Sequence, residues 1–371
     1  MEQVETVIVG AGVIGLAIAR YLAVRGQEVL ILEAEGAVGR HTSTRNSQVI
    51  HAGIYYPRGS AQQVLCLKGR QMLYDYCASR HVGHRRIGKL TVARKSAEVD
   101  QLHALAAQGR ANGVDDLSVI SAAALAEREP AVVGAGAMLS PSSGIVDAPG
   151  LMLSLLGEAE AGGAMLALNA RFLRARKERG RFLLEVGGAI EVTIGCKRLV
   201  NAAALGAWGV ASGIDGMRVD SIPPCNLAKG NYFSIPGPSP FSALIYPMPK
   251  VGSLGIHSVQ DLGGGVRFGP DMHWVDVVDY SVDPEFLPQF EAEIRSYWPG
   301  LPEGVLRPDM AGIRPRIWGF GSAKREFEFQ DSSVHGVAGL VQLFGFESPG
   351  LTACLAIAEH VGELLGKGDD Q

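Results

Sequence analysis

Three glycines and one carboxylate near the N-terminus have the types and spacing of a nucleotide-binding turn. Gly10, Gly12 and Gly15 form G-x-G-x-x-G in "VGAGVIG", and Glu33 follows 23 positions after Gly10. The motif sits between a strand-like run, "TVIVG", and a helical stretch that runs to about Arg25; a second strand, "EVLILE", ends on Glu33. That context makes the signal specific. Gly10 permits the tight turn, Gly12 lets backbone approach a pyrophosphate, and Gly15 lets helix pack on strand. The helix N-terminus faces the phosphates. Glu33, beside Ala34, would accept from ribose hydroxyls and repel a 2′-phosphate. A second stretch, "HTSTRNSQVIHAGIYYP" (41–57), crowds hydroxyls, an Arg-Asn pair, a histidine and two tyrosines into seventeen residues. It is too polar for a core element and too rich in donors for a plain connection.

The elements around these residues are legible from periodicity. Residues 60–80 read as a helix with Val64, Leu65, Met72, Leu73 and Tyr76 on one face. "GKLTVAR" reads as a strand, and 96–112 as a helix ending at Gly113. Another helix opens at Pro149 and stops at Gly162-Gly163. "ARFLRARKE", "RFLLEVGG" and "AIEVTIG" read as three hairpin-connected strands, followed by a separate buried strand, "RLVNAAAL". From 222 to 271, short segments split by Pro/Gly turns indicate an antiparallel sheet. Asp283-Pro284 starts a helix with Phe286, Phe290, Ile294 and Tyr297 on one face. "KREFEFQD" reads as a solvated hairpin, "VAGLVQLFGF" as the last buried strand, and 349–365 as the last helix.

The totals limit the functions open to the chain. Its 371 residues are 47% apolar, enough for two domains. The 48 glycines exceed the roughly 26 expected at an average near 7%, pointing to many tight turns. A net charge of −4 gives no footprint for nucleic acid, so an anionic substrate must be drawn by a local site. Five cysteines without a C-x-x-C pair read as free thiols, and no histidine or cysteine cluster suggests a metal. The apolar N-terminus is preceded by acidic residues and interrupted by glycines, so it reads as structure rather than a signal peptide. No run of 18 apolar residues predicts a membrane span.

The glycine motif alone does not separate NAD from FAD. The three-stranded meander and the strand–turn–helix at "FGFESPGLT" favour FAD, because a helix starting at Gly350 carries partial positive charge suited to a reduced flavin. The chain as a whole resembles the D-amino-acid-oxidase-like FAD oxidoreductases, and within them the L-2-hydroxyglutarate oxidase/dehydrogenase family. The resemblance rests on 41–57, "NLAKGNYFSI" (226–235), "LIYPMPKVGSLGIHSVQDLGGGVRFGPD" (244–271), "DYSVDP" (279–284), "AGIRPR" (311–316) and "FGFESPGLT" (344–352). Three positions depart from the family's pattern. Ala204 and Gln48 stand where it usually has Gly, and Arg316 where it usually has Lys.

The resemblance implies an α/β chain with a doubly wound, Rossmann-like FAD domain carrying a β-meander, and an inserted antiparallel-sheet substrate domain. The boundaries expected are 1–86, 147–221 and 305–371 for the FAD domain, and 87–146 and 222–304 for the substrate domain. It implies oxidation of a small anionic 2-hydroxy acid, with L-2-hydroxyglutarate giving 2-oxoglutarate, by hydride transfer to flavin N5. The flavin would be held by Gly10, Gly12, Val13, Ile14, Gly15, Glu33 and Ala34. His41, Thr42, Ser43, Arg45, Asn46, Ser47, Gln48 and His51 would join them, with Ala203, Gly206, Arg314, Glu347, Ser348, Pro349, Gly350, Leu351 and Thr352. His51 and His257 are the candidate bases, since imidazole titrates near operating pH. Arg316 and Lys229 are the candidate carboxylate anchors, with Tyr55, Tyr232 and Tyr246 lining the substrate pocket. No motif chooses between dioxygen and a quinone as electron acceptor. A cytoplasmic chain is expected, with a peripheral position at the inner membrane face as the alternative. Competing readings are an amino-acid or amine oxidase, a glycerol-3-phosphate dehydrogenase, and a non-catalytic FAD protein of a redox assembly.

Overall fold

A computed structural model describes residues 2–188, 191–249 and 254–367. Ala189 and Ile190, which begin the expected "AIEVTIG" strand, and Gly252 and Ser253, which begin the "GSLGIHSVQD" segment, lie outside the described residues.

The chain divides into two compact units. The first comprises 1–44, 148–226 and 314–371; the second comprises 45–147 and 227–313. In the first unit, strand β1 (Glu2–Val9) leads into helix α1 (Val13–Ala23), and strand β2 (Val29–Leu32) lies parallel to β1. All four β2 residues are buried, as expected of a strand in the middle of a parallel sheet. The strand at Met165–Ala167 extends the sheet beyond β2. On the other side β1 pairs in parallel with Val192–Asn201, whose final residues also pair with Leu340–Phe344. The meander is present as Ala170–Glu178, Arg181–Gly188 and Val192–Asn201, all antiparallel. "AIEVTIG" and "RLVNAAAL" are thus one ten-residue strand rather than two. Gly195, the last residue of the expected "AIEVTIG" strand, is mid-strand backbone packed close to the Gln3 side chain.

The second unit holds three sheets. Lys89–Ala93 sits between Leu244–Pro247 and Gly136–Ser140, with Ser118–Ser121 at the edge. Asn226–Ser234 pairs with Val266–Gly269, His273–Val275 and Arg307–Arg316, and His257–Gln260 flanks Val266–Gly269. Val49–Ile50 and His84–Arg85 both pair with Gly144–Val146. This last sheet explains why the second unit begins at Arg45, whereas the expected boundary lay at 86. The buried Asn112 amide strengthens the attachment by donating to the carbonyls of Gly53, Ile54 and Tyr56. Residues 305–313 join the second unit through the Arg307–Arg316 strand.

Local chemistry fixes the helix ends. Ser60 caps Ala61–Ser79 by accepting from the Gln63 N–H at 3.1 Å, and Asp283 caps the Pro284 turn by accepting from Glu285 N–H at 2.9 Å. Val64 is 50% exposed, so the buried face of the first of these helices runs instead through Leu65, Cys66, Leu73, Tyr74 and Cys77. "KREFEFQD" is not a fully solvated hairpin: Phe327 stacks on Phe346 at 4.5 Å and is buried.

Gln48 and Ala204, the two residues that replace the family's glycines, both have left-handed backbone, at φ 52° and φ 50°. A side chain there costs about 1–2 kcal/mol relative to glycine, offset in part by glycine's larger unfolded-state entropy of about 0.5–1 kcal/mol. Ala204→Gly should therefore stabilise the protein by about 0.5–1 kcal/mol, raising its thermal midpoint by about 2 °C. A lowered midpoint would contradict that account of the position.

Candidate functional site

In the first unit, β1 delivers the chain into a loop that has no room for side chains. A Cβ on Gly10 would stand 2.6 Å from the Ala202 carbonyl oxygen, and one on Gly15 would stand 2.0 Å from the Gly10 carbonyl oxygen. Gly10 also has φ 107°, which other residues rarely adopt. A Cβ on Gly12 would meet the Ser43 hydroxyl at 2.9 Å. That hydroxyl accepts the Val13 N–H at 3.0 Å, so α1 is capped from thirty residues away rather than by its own N-cap. No acidic residue lies in the first turn of α1, so no side chain of that turn offsets its positive end.

Glu33 closes the same loop. Its two carboxylate oxygens accept the N–H groups of Ala11 at 2.8 Å and Glu35 at 2.9 Å, with Ala34 between the anchors. His41 Nε2 lies 3.3 Å from Glu35 Oε1. A Cβ built on Gly350, the first residue of the last helix, would be 3.5 Å from Ile14. Two helix N-termini thus lie beside one another, at a loop stripped of side chains, with a carboxylate fixed to its edge. Those features fit a dinucleotide such as FAD.

The first unit also holds two of the three expected arginines. Arg314 and Arg316 are alternate residues of one strand and meet the same carboxylate. Arg316 Nε is 2.9 Å from Glu347 Oε1 and its terminal nitrogen donates to Oε2 at 3.1 Å; Arg314 Nε is 3.7 Å from Oε2. The Arg316 guanidinium also lies 4.4 Å over the Trp318 ring. Burial lowers its pKa, with neighbouring Arg314 acting in the same direction and Glu347 opposing. Arg316 therefore stands as one arm of an ion-paired group rather than an unengaged carboxylate anchor. Glu347, expected among the flavin-binding residues, is the counter-ion. The Ala203 N–H is held by Asn201 Oδ1 at 3.3 Å, and Gly206 N–H by the Ala203 carbonyl at 2.8 Å. Thr352 is fully buried in the last helix, and Ser348, Pro349 and Leu351 lie within or beside its start.

The second unit gathers the histidines and tyrosines. Asn46 accepts the Gln48 N–H at 2.7 Å, making a tight turn, and Ser47 hydroxyl bonds Tyr232 hydroxyl at 2.9 Å. The Arg45 guanidinium covers the Tyr280 ring at 4.1 Å. His257 stacks on Tyr246, with centroids 3.8 Å apart, and its Nδ1 donates to the Gly255 carbonyl at 2.8 Å. That bond fixes the orientation of the ring. Tyr55 hydroxyl bonds Thr91 at 3.1 Å. His51 is half-buried with its Nδ1 enclosed. Enclosure is the main cause that holds its pKa down to about 3, with the positive charges of Lys89 and His257 adding to it.

Two placements differ from expectation. Lys229 is engaged: its ammonium pairs with Asp279 at 2.7 Å, and that contact holds the Asp279 carboxyl well below the usual range. Sequence reasoning missed Lys89, which is 1% exposed and lies 4.5 Å over the Tyr55 ring and 4.9 Å over the Tyr246 ring. The available signal was strand alternation. Leu90 and Val92 face an apolar core, so Lys89 and Thr91 must share the opposite face with their neighbour Tyr246. No group of metal-ligating side chains occurs among the described residues, and no helix among them is long and apolar enough to cross a membrane.

Comparison with known proteins gives a family and a fold. A family described as FAD dependent oxidoreductase (DAO) matches residues 5–364. The mitochondrial L-2-hydroxyglutarate dehydrogenase of Arabidopsis thaliana is 40% identical, over 97% of this chain and 83% of its own length. The human protein of the same name is 40% identical over 34% of this chain and 28% of its own. Two solved structures share the architecture. FAD-bound L-α-glycerophosphate oxidase from Mycoplasma pneumoniae superposes with TM-score 0.87 at 23% identity, covering 99% of this chain and 95% of that one. Glycine oxidase from Geobacillus kaustophilus gives 0.83 at 21% identity, with the same coverage. The fold is thus D-amino-acid-oxidase-like, a Rossmann-type FAD domain with an antiparallel substrate-domain sheet.

The Glu347 cluster makes a testable difference from the other ion pairs. Removing one partner of a buried pair typically costs about 3–5 kcal/mol, because the remaining charge is stranded. Glu347→Ala should cost about 3 kcal/mol in denaturant unfolding, while Asp279→Ala, at an exposed carboxylate, should change stability little. Equal, small effects would show that the arginines do not depend on Glu347.

Proposed function

The chain belongs to the FAD-dependent oxidoreductase family, and from that premise we propose that it oxidises L-2-hydroxyglutarate to 2-oxoglutarate. The observation that carries the substrate is the 40% identity to an L-2-hydroxyglutarate dehydrogenase along 97% of the chain. FAD, when bound, supplies the acceptor for the hydride that leaves the substrate carbon. Gly10, Gly12, Val13, Ile14, Gly15, Glu33 and Ala34 would hold its adenosine and pyrophosphate, with Ser43 and the helix start at Gly350 completing the cradle.

The chain's own task is the hydroxyl proton. His51 is the acceptor we favour: it is uncharged at neutral pH and only half-buried, so a substrate can reach it. His257 is enclosed, pinned through Nδ1 and stacked on Tyr246, which suits it to orient rather than to exchange protons. An amine substrate fits this unit poorly. A protonated amine brought near Lys89 and His51 would meet an unneutralised cation, whereas a carboxylate is attracted there. The five cysteines are free, which accords with a cytoplasmic or other reducing compartment.

Anaerobic stopped-flow flavin reduction tests this reading. L-2-hydroxyglutarate should bleach the flavin and its D-enantiomer should not. His51→Ala should slow reduction about 10²–10⁴-fold, the range for loss of a general base, and His257→Ala should have a smaller effect. Bleaching by amino acids but not by the hydroxy acid would overturn the substrate, and a His51→Ala rate within fivefold of the parent would overturn the proton acceptor.

A further inference from the structure

One enclosed cation in the second unit has no counter-charge among the described residues. Lys89 opens the strand Lys89–Ala93, whose alternate residues Leu90 and Val92 are locked into an apolar core. The register therefore forces Lys89 inward on the opposite face, where it is 1% exposed. Its Nζ is fully enclosed and has no hydrogen-bond partner among the described residues, and no carboxylate there pairs with it. Its near neighbours are the faces of Tyr55 and Tyr246. Ring faces attract a cation, but they accept none of its three N–H donors in the way that water would.

Among the described residues, the surroundings supply further donors and no anion. The Tyr246 hydroxyl is likewise enclosed without a partner among the described residues. Burial pushes its pKa up, so it stays protonated, and the nearby Cys66 thiol is pushed up to about 12 and stays neutral. A buried ammonium and a buried hydroxyl, both with unused donors, present the donor set that an oxygen anion takes. Lys229 cannot serve that role while Asp279 neutralises it.

We propose that Lys89, with the Tyr246 hydroxyl as a second donor, holds a carboxylate of the substrate; this rests on the reading of the substrate as a hydroxy diacid. The site is built at a cost to the ligand-free protein, which keeps a desolvated charge until the anion arrives. It selects acids over neutral alcohols, and it places negative charge beside the cation that suppresses His51 basicity.

The test uses the FAD-loaded full chain, with glutarate as an unreactive probe in titration calorimetry and L-2-hydroxyglutarate and L-2-hydroxyvalerate as substrates. Lys89→Met should weaken glutarate at least 20-fold and raise KM for L-2-hydroxyglutarate similarly, while the ligand-free thermal midpoint stays level or rises. Lys89→Arg should recover part of the affinity. A KM rise confined to the diacid assigns Lys89 to the carboxylate remote from the hydroxyl, and an equal rise for both acids assigns it to the adjacent one. Unchanged glutarate affinity in Lys89→Met overturns the proposal, as does a lower midpoint accompanying the loss, which would mark Lys89 as structural. If L-2-hydroxyglutarate fails to bleach the parent but glutarate binding still requires Lys89, the substrate reading falls and the anion site stands.

Discussion

An ammonium removed from water loses several kcal/mol of hydration and regains it only from a well-placed partner. Lys89 has been so removed, and two tyrosine rings return only part of that loss. The strand that carries it cannot rotate to release it, because Leu90 and Val92 are committed to the core on the other face. The second unit is in this sense arranged around a positive charge that its described residues leave uncompensated. His51 nearby feels that charge, after the larger effect of its own burial.

His51 shows the consequence most directly. Its pKa falls from 6.5 to about 3, first through enclosure and then through the charges of Lys89 and His257. The group is therefore uncharged across the physiological range, as a proton acceptor must be. It is also a weak base until negative charge enters. On the proposed reading, a carboxylate next to Lys89 offsets part of that suppression, so His51 basicity rises when substrate is present. Binding and proton transfer are then coupled through one lysine, and the Lys89 ammonium, the His257 ring, the protonated Cys66 thiol and the hydroxyls of Tyr55 and Tyr246 are the titratable groups that face the change.

The first unit follows a different logic, and it was the more legible in sequence. The glycine turn, Glu33 and the parallel strands are local features, and each left its mark within thirty-five residues. The departures at Gln48 and Ala204 were visible as letters, but their meaning depended on backbone: both are left-handed, where the family's glycine is the unstrained choice. The engagement of Arg316 and Lys229 was not legible, since their partners lie 31 and 50 positions away. A basic residue near an expected pocket looks the same whether it is unengaged or neutralised. Lys89 was overlooked for the converse reason. A lysine in a strand is ordinarily read as solvated, and only its register against Tyr246 shows that both faces of this strand are covered. The long strand Val192–Asn201 was divided in two at Gly195, where the glycine reflects close packing rather than a turn.

The most direct measurement is an NMR titration of the His51 imidazole in the FAD-loaded protein, with and without saturating glutarate. The account predicts a ring that stays uncharged well below pH 6.5 in the ligand-free protein and whose pKa rises on glutarate binding. Because the folded pKa lies below the unfolded one, protein stability should also fall as pH drops from about 6.5 towards 3. An imidazole that titrates near pH 6.5 and does not respond to glutarate would contradict the coupling between Lys89 and His51.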